Sequence, residues 1–106
     1  MSFRGGMNEF VRQAARMQRK IEARREELKS QEFEASAGND RVSAKVNGGL
    51  ELLALTIDPK LIEDEGLEMT QDLVVAAANA ALTKARETVD VEIEKVSGGL
   101  KIPGLG

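Results

Sequence analysis

Basic side chains are concentrated at the beginning of this 106-residue chain. Residues 1–30 contain eight Lys and Arg residues and four Glu residues, a formal charge of +4, whereas the whole chain carries −3 and residues 31–106 therefore carry −7. Guanidinium groups bind phosphates through pairs of parallel hydrogen bonds. A basic segment attached to an acidic body is typical of a protein with a polyanionic partner.

A helix from about residue 7 to residue 29 is predicted to position these cations. Its apolar residues recur at alternating steps of three and four, which is the spacing of a coiled-coil seam over about three heptads. The seam comprises Met7, Phe10, Ala14, Met17, Ile21 and Leu28. Arg24 interrupts it, and burial and exposure of that side chain are both compatible with the pattern. The helix would be roughly 35 Å long, so we expect part of it to project or to pack on a partner chain.

Five cations of this helix lie away from the seam or beside it, and we call them the basic face. They are Arg12, Arg16 and Arg19 on the opposite side, with Lys20 and Arg25 at the flanks. The basic face is a candidate contact surface for the phosphates of DNA. The alternative is a solvated helix surface held by ordinary ion pairs between residues three apart, such as Glu9 with Arg12.

Between the helices the hydrophobic period changes to two, which predicts three antiparallel strands in a meander. Turns are expected at residues 38–40 and 47–49, where Gly and Asn cluster. The third strand, residues 50–57, is apolar on both faces. Strict alternation places Leu53, Leu55 and Ile57 on one face, and Leu50, Leu52 and Ala54 on the other. A chain this short has few elements to cover both faces, so we expect a homodimer.

A second long helix is predicted from about Leu67 or Thr70 to Val96, after the helix-start signal Asp58-Pro59 and an acidic loop at residues 63–66. Three of its side chains join three of the last strand in the predicted core or dimer interface. These six residues are Leu53, Leu55, Ile57, Leu73, Ala77 and Ala81. Lys84 in this helix is a sixth predicted DNA contact. A solvated surface of mixed charge is the alternative there, because acidic residues follow it.

The amino-acid composition gives little support for catalysis or for the binding of a cofactor. The chain has no His and no Cys, so the common nucleophile–base pairs, disulfides and thiolate metal sites are unavailable. The acidic residues at 63–65 and 68 lack the spacing of a calcium loop. We therefore predict no enzyme activity, cofactor, metal or small-molecule substrate. No apolar run reaches the length of a membrane span and no signal peptide is recognisable, so we expect no membrane association and a cytoplasmic location.

Three blocks of sequence occur in a distinctive order. They are Gln13-Ala14-Ala15-Arg16-Met17-Gln18, Ile57-Asp58-Pro59-Lys60-Leu61-Ile62-Glu63-Asp64 and Asp72-Leu73-Val74-Val75-Ala76-Ala77-Ala78-Asn79-Ala80-Ala81. Together they resemble the YbaB/EbfC nucleoid-associated proteins of bacteria, over nearly the whole chain. The resemblance implies a tweezer-shaped homodimer with projecting helical arms, which binds double-stranded DNA with little sequence preference.

These observations predict an α+β fold in a single domain of residues 1–106, with flexible ends at about 1–6 and 98–106. The leading hypothesis is a dimeric DNA-binding protein of the nucleoid that contributes to nucleoid organisation and gene regulation. The alternative is a dimeric adaptor whose helical arms bind another protein. Salt separates the two hypotheses, because binding to phosphates weakens steeply as salt rises.

Overall fold

The computed structural model describes residues 2–98, with side chains from Met7 onward. Its elements are α1 (Ser2–Lys29), β1 (Glu32–Ala37), β2 (Val42–Asn47), β3 (Leu52–Ile57), α2 (Leu61–Glu65) and α3 (Leu67–Val96). This order confirms the predicted α+β fold, with an antiparallel meander between two long helices. Met1 and residues 99–106, which include much of the predicted flexible ends, lie outside the described residues.

The core lies between one face of the sheet and α3. Alternate residues of β2 are buried, as expected for a strand with one face covered. Helix α3 contributes Ala77, Ala81 and Ala85, each with no exposed surface. Because these side chains are small, the helix backbone lies close to the sheet. Larger side chains there would strain the packing, since close-packed interiors accommodate added methylene groups poorly.

Helix α3 packs over β1 and β2 and leaves β3 largely open. All six residues of β3 are exposed, and β3 is also an edge strand, because the sheet order is β1-β2-β3. Its large apolar side chains retain much of their accessible surface, at 49% for Leu52, 46% for Leu53, 40% for Leu55 and 39% for Ile57. Within the described chain, neither face of β3 is therefore well covered.

A β-bulge changes which face the residues of β3 occupy. Ala44 pairs with Leu55, but Val46 pairs with Leu52, so the ladder skips one residue of β3. Paired residues of antiparallel strands lie on the same face of the sheet. Leu52 and Leu55 therefore share the face on which Ala44 and Val46 are buried. The predicted separation of Leu52 and Leu55 onto opposite faces is wrong, because the extra residue resets the alternation.

Only the second half of the α1 seam is buried in the chain's own structure. Ile21 and Leu28 are 3% and 1% exposed, and they form a cluster with Val89 and Ile93 of α3. Met17 packs at the margin of this cluster. This contact fastens α1 to the last part of α3 and fixes the direction in which the rest of α1 extends.

The first half of α1, residues 2–16, projects from the remainder of the molecule, and we call it the arm. The principal extents of the chain are 77 × 20 × 15 Å and its radius of gyration is 20.4 Å. A compact chain of this length would have a radius of gyration of about 13 Å. The arm explains much of this elongation, and its side chains from Met7 to Arg16 are exposed or at most half-buried.

Gly48 is required where the turn between β2 and β3 meets the end of α1. A Cβ atom at this position would overlap the carbonyl oxygen of Leu28, and the Gly48 amide donates to the carbonyl of Gln31 at 2.9 Å. We expect Gly48→Ala to lower the free energy of unfolding by about 1–3 kcal/mol, because backbone must move to admit the methyl group. Urea unfolding measures this effect. Gly49→Ala is the control, since its Cβ would meet side-chain atoms, the nearest at 3.2 Å, and an equal loss in both variants would contradict the steric explanation.

The acidic segment after β3 forms a short helix, so the predicted loop at residues 63–66 is wrong for 63–65. Leu61 at the start of α2 is fully buried. Arg41 fixes the segment from outside, donating to Asp58 at 2.8 Å and to Asp64 at 2.7 Å. The Asp58 carboxylate also accepts a hydrogen bond from the Lys60 amide at 3.0 Å. This bond, followed by that from Arg41, lowers the pKa of Asp58.

Candidate nucleic-acid interface

The arm carries two residues of the basic face, Arg12 and Arg16, and both are exposed to solvent. The side chains of Arg12 and Arg16 are 72% and 56% exposed, on the side of α1 opposite the seam. Both approach Glu9, at 3.9 Å from Arg12 and 3.3 Å from Arg16. One carboxylate thus serves two guanidinium groups, and the arm keeps an excess of positive charge.

The ion pairs with Glu9 present little obstacle to a phosphate ligand. Exposed pairs of this kind contribute about 0.2–1 kcal/mol, because water and salt screen the attraction. A phosphate can form two parallel hydrogen bonds with a guanidinium group. Exchange of Glu9 for a phosphate therefore costs little.

The remaining members of the basic face differ in how open they are. Arg19 and Lys20 are exposed, and neither forms an ion pair with another side chain that the structure describes. Arg25 is half-buried, so its guanidinium group is less open than those of Arg12 and Arg16. The most accessible cations therefore lie between residues 12 and 20, on and just beyond the arm.

Arg24, at its position in the seam of α1, forms an ion pair with Glu92 of α3. It donates to Glu92 of α3 at 2.6 Å and to Glu27 at 2.8 Å, and its side chain is 33% exposed. The hydrogen bond that Arg24 donates to Glu92, followed by the one that it donates to Glu27, raises the pKa of Arg24. The seam thus continues through Arg24 as a polar contact, which helps to hold α1 in the orientation that presents the basic face.

Protonation of Glu92 is expected to loosen α1 from α3. Hydrogen bonds from Lys95, and then from Arg24, lower the pKa of Glu92. A carboxyl group of this kind stabilises the fold fully above its unfolded pKa of about 4.3, and the contribution is lost as pH falls through the lower folded value. We expect the free energy of unfolding to decline below about pH 5, and Glu92→Gln to make that decline shallower.

Urea unfolding between neutral and acidic pH measures the effect of Glu92. Glu94→Gln is the matched control, because Glu94 is exposed on the same helix and no ion pair involves it among the described side chains. Asp58 also has a lowered pKa, so part of the acid dependence remains in every variant. Identical pH dependence in Glu92→Gln and the parent protein would rule out the proposed role of this pair.

Lys84 lies on a different surface from the arm. Its Nζ donates to the carbonyl oxygen of Glu34 at 3.2 Å, at the free edge of β1. Its neighbours Ala81 and Ala85 face the sheet, whereas α1 packs on α3 from Val89 onward. The structure therefore does not bring Lys84 together with Arg12, Arg16 and Arg19. A lysine at a sheet edge also discourages pairing with another strand.

The six residues predicted for the core or dimer interface divide into two groups. Ala77 and Ala81 are buried and Leu73 is half-buried, all three against the chain's own sheet. The β3 residues among the six are exposed. Sequence reasoning missed an apolar patch that follows β3, where Ile62 is 50% exposed, Leu67 58% and Met69 46%. Their irregular spacing obscured the patch in the sequence.

The groove described on this structure lies away from the basic face, on α3. A shallow groove between Asn79 and Val91 is lined by side chains of α3 alone, so it is a helix surface. Within residues 2–98 no three acidic side chains converge as metal ligands would. Among the described helices, none combines the length and apolar character that crossing a membrane requires.

The sequence was compared with models of known protein families. The model described as the YbaB/EbfC DNA-binding family matches residues 4–100. This chain belongs to the YbaB/EbfC DNA-binding family. The resemblance stated from the three sequence blocks is thus confirmed. The matched range includes the arm cations, the whole sheet and both long helices, so the elements that position the basic face all lie within the family's characteristic sequence.

Similar proteins carry names consistent with this family. A nucleoid-associated protein of Acetivibrio thermocellus is 46% identical, covering 97% of this chain and 92% of that protein. One from Clostridium acetobutylicum is 41% identical, covering 95% and 90%, and one from Myxococcus xanthus is 41% identical, covering 93% and 94%. A crystal structure of an uncharacterized protein from Helicobacter pylori has a TM-score of 0.55 and 25% identity, covering 87% of this chain and 94% of that one.

Proposed function

We propose that this YbaB/EbfC family member is a homodimeric protein of the bacterial nucleoid that binds double-stranded DNA through the basic face of α1. The exposed arginines of the arm, in a member of a DNA-binding family, carry the proposal. The names of the similar proteins support a location on the nucleoid, within the cytoplasm. Nucleoid organisation and gene regulation follow as the expected consequences of such binding.

The chemistry of the basic face supports contact with phosphates more than with bases. The basic side chains at positions 12, 16, 19 and 20 are of the types that bind the phosphates of a nucleic-acid backbone. Reading adenine in the major groove uses Asn or Gln, but Gln13 and Gln18 lie near the apolar seam. We therefore propose that binding depends little on DNA sequence. Each phosphate contact releases counterions, so affinity should fall steeply with salt.

The dimer is supported by the contrast between the two edges of the sheet. Lys84 occupies the β1 edge through its bond to Glu34. The β3 edge carries exposed Leu52, Leu55 and Ile57, and such an edge is a template for pairing with another chain. We propose that a second copy covers β3, so that two arms and two basic faces act together.

A titration of a random-sequence duplex across salt concentrations, with the protein's mass determined on the same sample, tests the proposed function. We expect a dimer whose affinity for the duplex falls steeply as salt rises. A protein that makes six to ten phosphate contacts loses affinity by a factor of about 10³–10⁵ when salt is raised from 50 to 200 mM. A dimer that fails to bind the duplex at low salt would overturn the DNA-binding proposal. A salt-insensitive complex would overturn the phosphate mechanism.

The second candidate function is a dimeric adaptor that binds another protein through its arms. The exposed Met7 and Phe10, at 67% and 73%, favour this reading, because flexible and aromatic apolar side chains are common at protein interfaces. Catalysis is not part of either proposal, since the sequence lacks His and Cys. Loss of duplex binding together with retention of a protein partner would favour the adaptor.

A further inference from the structure

The arm carries an apolar stripe that the described chain leaves uncovered. Met7, Phe10 and Val11 are 67%, 73% and 62% exposed, and Ala14 is exposed beside them. Further along the same seam, Ile21 is only 3% exposed because α3 covers it. The sequence pattern is therefore continuous, but within residues 2–98 a partner from the same chain covers only half of its length.

The end of α3 explains where this cover stops. Helix α3 ends at Val96, and both Val96 and Met17 pack at the margin of the α1–α3 cluster. The arm extends about 22 Å beyond that point, at 1.5 Å for each residue from 2 to 16. An apolar stripe exposed on a projecting helix is typical of an interaction surface. The arm stripe is thus a separate surface from the uncovered β3.

We infer that the arm pairs in antiparallel orientation with the arm of a second copy of this chain. The positions that flank the seam between residues 7 and 17 are Val11 and Gln13, which are uncharged. Glu9, Arg12 and Arg16 lie on the other side of the helix. Two identical arms therefore meet without repulsion between like charges, whereas a partner with a charged rim would find no complementary charge beside this seam.

The residue sizes fit an antiparallel pair centred near residue 12. In that register Phe10 lies opposite Ala14 of the second copy, and Met7 lies opposite Met17. Large side chains thus face small or flexible ones, as knobs-into-holes packing requires. At the flanks Val11 meets the same residue of the second copy on one side, and Gln13 does so on the other. The seam is self-complementary in both shape and charge.

The second copy in this contact belongs to another dimer. The dimer proposed above uses β3, which is a separate surface from the arm stripe, so the arm contact joins one such dimer to another. Pairing leaves Arg12, Arg16 and Arg19 on the outer surface, where they stay open to solvent. Pairs of arms would link dimers in series. The linking of dimers and the bridging of DNA segments both rest on the proposed function, but the pairing of arms does not.

A contact of four seam residues from each arm is small, and interfaces below about 1,200 Å² are usually weak and transient. We therefore choose a trapping experiment. The chain contains no cysteine, so a single introduced thiol reports one contact. Val11→Cys places the thiol at the expected two-fold position, and Asn8→Cys places an equally exposed thiol on the far side of the same helix.

Both cysteine variants of the full chain are treated with a short thiol-specific cross-linker. We expect the covalent yield for Val11→Cys to exceed that for Asn8→Cys by at least about tenfold, because pairing raises the local thiol concentration. The native mass of the product should be that of a tetramer or larger. Equal yields would overturn the pairing of arms, and a product with the mass of one dimer would overturn the linking of dimers.

Two further variants separate this inference from the proposed function. Phe10→Gln in the Val11→Cys protein should reduce the cross-linked yield at least about fivefold, with binding to a short duplex within about twofold of the parent. Arg16→Glu with Arg19→Glu should do the opposite, losing duplex binding and retaining the cross-link.

Discussion

Replacement of both Arg16 and Arg19 by Glu is expected to abolish most of the affinity for DNA. A dimer would lose four phosphate contacts, so the slope of log Kobs against log[salt] should become shallower by about 4. Affinity for a random-sequence duplex at low salt should fall by at least about 100-fold. Folding should persist, since the exposed Arg16–Glu9 pair contributes about 1 kcal/mol at most. Duplex titration at several salt concentrations, with urea unfolding alongside, measures both effects.

The matched control for this variant is Lys60→Glu with Arg86→Glu. Both residues are exposed and lie outside the arm, and the change in charge is the same. We expect the control to retain affinity within about tenfold, because general electrostatic attraction acts at a distance and is screened by salt. An equal loss in the two double variants would show that total charge controls binding. In that case the basic face of α1 would no longer be the favoured site.

The long helices could be predicted because local spacing determines them. A period near 3.5 across residues 7–28, and a run of small apolar residues from Val74 to Ala81, each indicate a helix without knowledge of the partner surface. Helix α3 begins at Leu67 and ends at Val96, within the predicted limits. The same spacing does not identify the partner, so it could not reveal that the seam changes from buried at Ile21 to exposed at Phe10.

Long-range partners account for most of what the sequence left open. Arg24 is separated from Glu92 by 68 residues, and a heptad pattern contains no information about that distant carboxylate. Arg41 similarly holds Asp64 from 23 residues away, and that contact helped to turn an expected acidic loop into α2. The β-bulge opposite Val46 arises from strand pairing, so strict alternation misassigned the face of Leu52.

The candidate site could be predicted only as a set of residue types on one helix. Helical spacing places Arg12, Arg16 and Arg19 together, because α1 alone positions them. Lys84 was grouped with them by charge, whereas its position depends on how α3 crosses the sheet, and the structure places it beside Glu34. A shared sign of charge is therefore a weak guide to a shared surface when the residues belong to different elements.

Leu55→Glu is expected to convert the proposed dimer into a monomer. Leu55 is 40% exposed on the uncovered part of the sheet, so the carboxylate can reach water in a single chain. In a dimer that covers β3, the same carboxylate would be buried without a partner, at a cost of several kcal/mol. Sedimentation of the variant at micromolar concentration should show the monomer mass. Its affinity for DNA should fall by about 10²–10⁴, because two linked basic faces bind more tightly than one.

Leu53→Glu provides an independent variant of β3, and Val75→Glu provides the control in a different element, α3. Val75 is 58% exposed on α3, so the control adds the same charge to an apolar position that is more open to water. We expect both β3 variants to be folded monomers in urea unfolding and sedimentation, and Val75→Glu to remain a dimer. A dimer that survives both β3 substitutions would place the interface elsewhere. The apolar patch formed by Ile62, Leu67 and Met69 would then be the next surface to alter, because it follows β3 directly and is similarly exposed.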